Sequence, residues 1–178
     1  MRSCRLTYAL LLAALTVPMA LVAQGTDEVG LPVGTKPAAV QIEDLDGHAV
    51  DLSQYGSGKP VLMEFWATWC EVCKALHPSM VAAQKRFGDQ VDFLSVSVAV
   101  NQTPRSIKRY LERHPVPGRV LWDVGGRATR AYEAPTTSYV IILDAAGRVA
   151  YTGVGADQDL EAALEKVVGS ATEGQIQH

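Results

Sequence analysis

Apolar and polar stretches alternate along the chain in a pattern that predicts one α/β domain. Long apolar runs, rich in β-branched residues, predict buried strands at residues 61–65, 91–100 and 138–143. Further strands are predicted at residues 39–42, 49–52, 119–122 and 148–152, and helices at residues 70–87, 104–113, 126–132 and 157–168. The order hairpin, β, α, β, α, β-hairpin, α predicts a mixed central sheet with helices on both faces.

Turn and capping residues mark the ends of these elements. Asp-Gly signals at residues 44–47 and the turn at residues 144–147 predict two β-hairpins. Thr103 followed by Pro104 is typical of a helix start, because threonine caps and proline fits the first helical position. Pro78 lies inside the first predicted helix and predicts a kink there.

The N-terminal segment has the features of an export signal. Arg2 and Arg5 precede an almost wholly apolar run at residues 6–23. An uncleaved membrane anchor is the alternative, because the run is just long enough to span a bilayer. Either reading predicts an extracytoplasmic, disulfide-permissive location. The predicted organisation is a signal or anchor at 1–23, a linker at 24–36, one domain at 37–169 and a flexible tail at 170–178.

Composition narrows the possible functions without defining one. The 178 residues carry a net charge of −3, which argues against a nucleic-acid partner. Only three cysteines are present, and Cys4 lies far from Cys70 and Cys73. The fold therefore depends on packing rather than on a disulfide framework, and the close pair is available for chemistry.

Cys70 and Cys73 form a C-x-x-C motif between a buried strand and a predicted helix. The free N–H groups and dipole of a helix start stabilise a thiolate on the first cysteine. The second cysteine lies one turn on and on the same face, where it can attack a mixed disulfide. A structural zinc site is disfavoured, because the sequence has no second C-x-x-C or H-x-x-x-H to complete it.

Residues 58–73, which include the run W-A-T-W-C-E-V-C, resemble thioredoxin-fold proteins of the extracytoplasmic TlpA/ResA/CcmG type. The resemblance extends over residues 37–169. Pro78 matches the family's helix kink, Pro135 its cis-proline loop, and residues 103–117 its central helical insert. Two departures are Glu133-Ala134 before Pro135 and a C-E-V-C rather than a C-P-x-C motif. The resemblance implies a thioredoxin-like α/β fold.

The resemblance also implies roles for Glu64 and Pro135. They would act beside a nucleophilic, partly exposed Cys70 and a more buried, resolving Cys73. Glu64 occupies the position of a buried acid beneath the second cysteine, where it would accept the Cys73 proton. The residue types agree, because desolvation raises the pKa of a carboxyl in an apolar strand; the alternative is that Glu64 reaches solvent at the sheet edge. Pro135 would face the cysteines as a cis-proline.

Several neighbours are predicted to contact the client. Ala134 and Thr136 would supply backbone groups that pair with a client strand. Trp69 would form an apolar platform for the client, and Val72 would also contact it. Trp66 would pack beneath the helix. Glu71 would disfavour the Cys70 thiolate and so lower the reduction potential, unless it is only a solvated first-turn residue.

These features predict an exported protein-disulfide reductase with no cofactor and no bound metal, acting as a monomer. By resemblance, clients are proteins with disulfides or thiols in cytochrome c or copper-oxidase maturation. A membrane electron donor of the DsbD/CcdA type would recharge the dithiol. Three alternatives remain: a Cu(I) metallochaperone using Cys70, Cys73 and His77, a peroxiredoxin-like peroxidase, and a client-binding protein with an inert disulfide.

Overall fold

The computed structural model describes residues 29–175, with side chains through residue 170. The predicted export segment at residues 1–23, the start of the linker and residues 176–178 lie outside that range. Within residues 29–175, no helix is both long and apolar enough to cross a membrane.

All predicted strands and helices are present, with ends shifted by a few residues. Two short 3-10 turns at Leu52–Gln54 and Val124–Gly126 accompany them. The elements are β1 Gln41–Asp44, β2 Ala49–Asp51, β3 Val61–Trp66, α1 Glu71–Phe87, β4 Asp92–Val98, α2 Pro104–Leu111, β5 Arg119–Asp123, α3 Arg127–Ala131, β6 Tyr139–Leu143, β7 Val149–Val154 and α4 Leu160–Gln175.

One seven-stranded mixed sheet organises the molecule, as the element order predicted. Its strands lie in the order β2-β1-β5-β4-β3-β6-β7, with β3, β4 and β5 parallel and the remaining pairs antiparallel. All six side chains of β3 are buried, as expected for a central strand covered on both faces. Leu62 of β3 packs with α1 and α4, whereas its neighbours Val61 and Met63 pack with Ile107 of α2 and Ala128 of α3.

The structure extends the domain beyond the predicted boundaries. Part of the expected linker packs on the sheet: Leu31 is buried, and Gly34 and Thr35 exchange backbone hydrogen bonds of 2.7 and 2.8 Å with Val149. At the other end, α4 continues to Gln175 rather than ending near residue 168. Backbone pairing, which the Gly- and Pro-containing composition did not reveal, explains the first difference.

The helical insert is anchored at both ends. Thr103 caps α2 through a reciprocal pair of hydrogen bonds with Ser106, and Ile107 buries the inner face of the helix. Beyond the helix, the Ser95 hydroxyl donates a 2.8 Å hydrogen bond to the Pro117 carbonyl. These contacts hold the insert against the edge of the sheet where β3 ends and α1 begins.

Candidate active site

The two cysteines lie at the junction of β3 and α1. Cys70 is the N-cap of α1 and is joined to Cys73 by a disulfide. The Cys70 sulfur accepts a 3.0 Å hydrogen bond from the backbone N–H of Cys73. In the reduced protein this N–H and the helix dipole are in place to stabilise a Cys70 thiolate.

The burial of the cysteines differs from the sequence-based expectation. Cys70 was expected to be partly exposed and Cys73 more buried, yet they are 4% and 6% exposed. Residues from the insert and from the chain after β4 cover this end of the sheet, and their contribution was not visible in the motif itself. Neither sulfur is therefore widely open to solvent in the disulfide form.

Glu64 is a buried carboxyl that forms no ion pair with another described residue. The residue is 4% exposed, so its side chain does not reach solvent at the sheet edge. Its Oε1 atom is buried and accepts no hydrogen bond within the described part of the chain. Desolvation by burial raises the pKa of Glu64 from its ordinary value of 4.5 to about 8.

A cavity of about 420 Å³ connects this carboxyl to the resolving cysteine. It lies between β3, the first turns of α1 and the insert. Its lining consists of Glu64, Trp66, Ala67, Cys73, Lys74, His77, Tyr110, Arg113, His114, Pro115 and Val116. Glu64 and Cys73 thus line the same cavity.

Gln102 is a site residue that the sequence did not single out. Its Oε1 accepts 3.0 Å hydrogen bonds from both the N–H and the hydroxyl of Thr68. Its Nε2 donates to the Ser97 hydroxyl at 2.9 Å and to the Val98 carbonyl at 2.7 Å. One partly buried amide therefore fastens the loop that carries Cys70 to the end of β4. Only the tertiary fold brings these residues together, and no local signal marks a glutamine for such a role.

The residues beside the disulfide include exposed apolar side chains. Trp69 is 45% exposed, and its indole N–H donates a 2.8 Å hydrogen bond to the Val100 carbonyl. Val72 and Val100 are 46% and 51% exposed. The hydrogen bond holds the tryptophan ring in place while leaving much of it accessible, which is the arrangement an apolar platform requires.

Glu71 is largely exposed to solvent. Its side chain is 81% exposed and forms a 2.6 Å ion pair with Lys74, one turn along α1. The lysine compensates the negative charge that was expected to act on Cys70. Both the exposure and this pairing weaken the proposed influence of Glu71 on the thiolate.

The loop before β6 lies at the same edge of the sheet as the cysteines. β3 and β6 are antiparallel with Phe65 opposite Tyr139, so the loop entering β6 adjoins the loop leaving β3. The prediction of a cis peptide bond before Pro135 is wrong, because the peptide bonds of the described residues are all trans. Ala134 also differs from expectation, because its N–H donates to the Thr129 carbonyl at 2.9 Å and is occupied.

Thr136 differs from Ala134 in its hydrogen bonding. It is exposed and makes no hydrogen bond with the described part of the chain. Its backbone groups are therefore available to an incoming strand.

Residues 32–168 match the Redoxin family. The chain belongs to the Redoxin family. The thiol–disulfide oxidoreductase ResA of Geobacillus kaustophilus is 28% identical over 145 residues, which cover 80% of this chain and 82% of ResA.

Two solved structures resemble the whole domain of this redoxin. One is described as a thiol:disulfide interchange protein DsbE of Chlorobium tepidum, with a TM-score of 0.67 and 25% identity over 79% of this chain and 98% of that one. The other is the exposed lipoprotein thioredoxin Etrx1 of Streptococcus pneumoniae, with a TM-score of 0.61 and 25% identity over 75% and 99% of the two chains.

These likenesses confirm the thioredoxin-like fold and the resemblance to the TlpA/ResA type. The redoxin is a thiol–disulfide oxidoreductase, and its close Cys70–Cys73 pair is the chemical basis of that activity.

The histidines of this redoxin occupy different surroundings. His48 pairs with Asp44 at 3.1 Å, far along the sequence from the cysteines. The ring of His114 lies against the ring of Tyr110, with centroids 4.6 Å apart. His77, Tyr110 and His114 all line the cavity. Among residues 29–175, no group of three histidine, cysteine or carboxylate side chains is arranged to hold a metal ion. The copper alternative therefore has no preformed ligand set in the described part of the chain.

Proposed function

We propose that this redoxin reduces disulfides of client proteins outside the cytoplasm, with Cys70 as the nucleophile, Cys73 as the resolving thiol and Glu64 as its proton acceptor. The observation that carries the proposal is the isolated, buried Glu64 carboxyl on the same cavity as Cys73. A group with a pKa near the working pH is suited to exchange a proton with a thiol.

The first step uses the helix start. The Cys70 thiolate attacks one sulfur of the client disulfide, forming a mixed disulfide and releasing a client thiolate. The Cys73 N–H, which lies 3.0 Å from the Cys70 sulfur, favours the thiolate before attack.

The second step uses Glu64. The ionised Glu64 carboxylate takes the proton of Cys73, whose thiolate attacks the Cys70 sulfur and releases the second client thiolate. Two electrons pass from the protein to the client, and the Cys70–Cys73 disulfide remains. With a pKa of about 8, Glu64 is mostly protonated at pH 7 in this disulfide form, as it would be just after accepting that proton.

The surroundings of Cys70 favour the reducing direction. A strong oxidant has a reduced form that is stabilised, chiefly through its thiolate. Here the nearest lysine along α1, Lys74, is paired with the exposed Glu71, so it adds little positive charge at Cys70. The helix start and one N–H remain as stabilising groups, which suits a reductant of the thioredoxin kind.

The proposed location and partners rest on the predicted N-terminal segment and on the family resemblance. The predicted export or anchor segment at residues 1–23 supports an extracytoplasmic location. We therefore propose that a membrane donor of the DsbD/CcdA type recharges the dithiol, and that clients are cytochrome c or copper-oxidase maturation proteins. Trp69, Val72 and the loop at Pro135 and Thr136 are proposed to hold the client polypeptide beside the disulfide.

The reduction potential tests the direction of transfer. We expect a value near about −270 mV, as for thioredoxin, whereas a value near about −120 mV would make the protein an oxidant. Glutathione or thioredoxin redox buffers with quantified thiol labelling give the measurement.

Trapping tests the roles of the cysteines. Cys73→Ser is expected to accumulate mixed disulfides with a disulfide-bonded client, because the resolving thiol is missing. Cys70→Ser is the matched control and should accumulate none. Equal trapping by both variants would contradict the assignment of Cys70 as the nucleophile.

A further inference from the structure

The cavity beside Cys73 is larger than proton transfer requires. Its volume of about 420 Å³ lies within the range of about 300–1,000 Å³ typical of sites for small ligands. Ala67, Pro115 and Val116 line it together with polar residues, so its wall is mixed in character. A direct transfer or a single bridging water would need only a small part of this space.

Two residues of the lining carry a buried polar atom that forms no hydrogen bond with any residue between 29 and 175. The atoms are Glu64 Oε1 and the indole Nε1 of Trp66, which is itself only 3% exposed. An indole nitrogen can only donate a hydrogen bond, and a protonated carboxyl can donate as well. Buried groups of this kind are ordinarily paired, so these two residues add polar character to the inner wall of the cavity.

The outer part of the cavity adds positive charge. Lys74 and Arg113 both line it, and Lys74 is paired with the exposed Glu71. Arg113 is exposed in the turn after α2 and forms no ion pair with any residue between 29 and 175. Glu64 is the single acidic residue of the lining, so the Arg113 guanidinium is an uncompensated charge there.

We propose that this cavity binds a carboxylate of the client polypeptide, an aspartate or glutamate side chain close in sequence to the client cysteine. The inference rests on the proposed function, since it identifies the client class of the same disulfide. Arg113 would bind the carboxylate as a charged fork in the outer part of the cavity.

The cavity lies beside the disulfide, where its ligand can be part of the client polypeptide. Cys73 forms part of its wall, and the Cys73 sulfur is bonded to the Cys70 sulfur that the client must reach. A client held at Cys70 therefore has its adjacent residues at the cavity entrance. Tyr110, His114 and Val116 provide ring and apolar surfaces for the remainder of such a segment.

The test uses disulfide-bonded peptides that differ at one residue near the cysteine. Three peptides carry glutamate, glutamine or lysine at that position, and their reduction by the reduced protein is followed by stopped-flow tryptophan fluorescence. We expect the glutamate peptide to react about five- to tenfold faster than the glutamine peptide at low substrate concentration, with the lysine peptide slowest.

Arg113→Gln should reduce the glutamate preference to less than about twofold, because the uncompensated cation is removed. Arg109→Gln is the matched control: it removes the same charge from an exposed position on α2 that does not line the cavity. Arg113→Glu should reverse the order and favour the lysine peptide. An unchanged preference in Arg113→Gln, or equal rates for all three peptides with the unmodified protein, would overturn the inference.

Failure of the inference differs from failure of the proposed function. If all peptides are reduced equally fast, the protein is a reductant without a carboxylate site. If none is reduced, the proposed direction of transfer fails instead. Binding supplies an independent measure: serine-for-cysteine versions of the three peptides should bind the disulfide form in the same order, and equal affinities would refute the carboxylate site.

Discussion

Glu64→Gln tests the raised pKa of the buried carboxyl through protein stability. The substitution keeps the size and polarity of the side chain but removes its ionisation. In the folded protein Glu64 holds its proton up to a pH of about 8, whereas the unfolded chain releases it near the ordinary value of 4.5. The folded state therefore binds more protons between these values, and the wild-type protein must lose stability as the pH rises through this window.

The size of the loss follows from the two pKa values. One pKa unit corresponds to about 1.4 kcal/mol, so the loss is about 1 kcal/mol at pH 5, about 3 at pH 7 and about 5 at pH 9. The glutamine side chain of the Glu64→Gln variant does not titrate, so the variant does not undergo this loss of stability. The free energy of unfolding of the variant, relative to wild type, should therefore rise by about 4 kcal/mol between pH 5 and pH 9.

The assay is urea unfolding of the disulfide form at pH 5, 7 and 9, followed by fluorescence. Glu112→Gln is the control, because Glu112 is an exposed carboxyl without a side-chain partner among the described residues. It should shift the free energy of unfolding equally at every pH. If the difference between wild type and Glu64→Gln were also independent of pH, Glu64 would have an ordinary pKa and could not serve as described.

The same variant has an expected kinetic effect. Without a carboxylate to take the Cys73 proton, resolution of a mixed disulfide at pH 7 should slow by about 100-fold or more. Attack by Cys70 should change much less, because that step relies on the helix start. Rapid acid quenching of the reaction separates the two steps. Equal slowing of both steps would indicate a general distortion of the site rather than loss of a proton acceptor.

Three further predictions concern the support of the site. Gln102→Ala removes the clamp on Thr68 and should alter the Cys70 thiolate pKa, measured by the absorbance of the thiolate. Gln102→Glu keeps the acceptor oxygen but cannot donate to the Val98 carbonyl, so it should not restore the wild-type value; identical titrations in all three proteins would dismiss the clamp. Gly118→Ala should lower the free energy of unfolding by more than about 2 kcal/mol, because its φ is +80° and the new Cβ would lie 2.1 Å from the Phe93 carbonyl oxygen; a midpoint in urea close to wild type would refute this. Glu71→Gln should change the reduction potential by less than about 30 mV, since the exposed carboxylate is already paired; a larger rise would restore a direct role for it.

Local signals in the sequence were sufficient for much of the fold. The period of apolar residues located every strand and helix, and Thr103 with Pro104 marked the start of α2 correctly. Element ends were less accurate, and the segment around Leu31 was mistaken for a linker. Its backbone bonds to Val149 form between residues more than a hundred positions apart, and short-range patterns carry no information about such pairs.

The sequence by itself determined the chemistry of this protein, because the C-x-x-C spacing and a following helix place two thiols within reach of each other. It also marked Glu64 as unusual, since a carboxyl in an apolar strand must be desolvated. Only the tertiary structure decided what surrounds these groups. It buried Cys70, fastened its loop through Gln102, and brought Arg113 to the wall of the cavity that Cys73 and Glu64 share. These contacts join distant segments across a folded sheet, and their geometry exists only once the chain has packed.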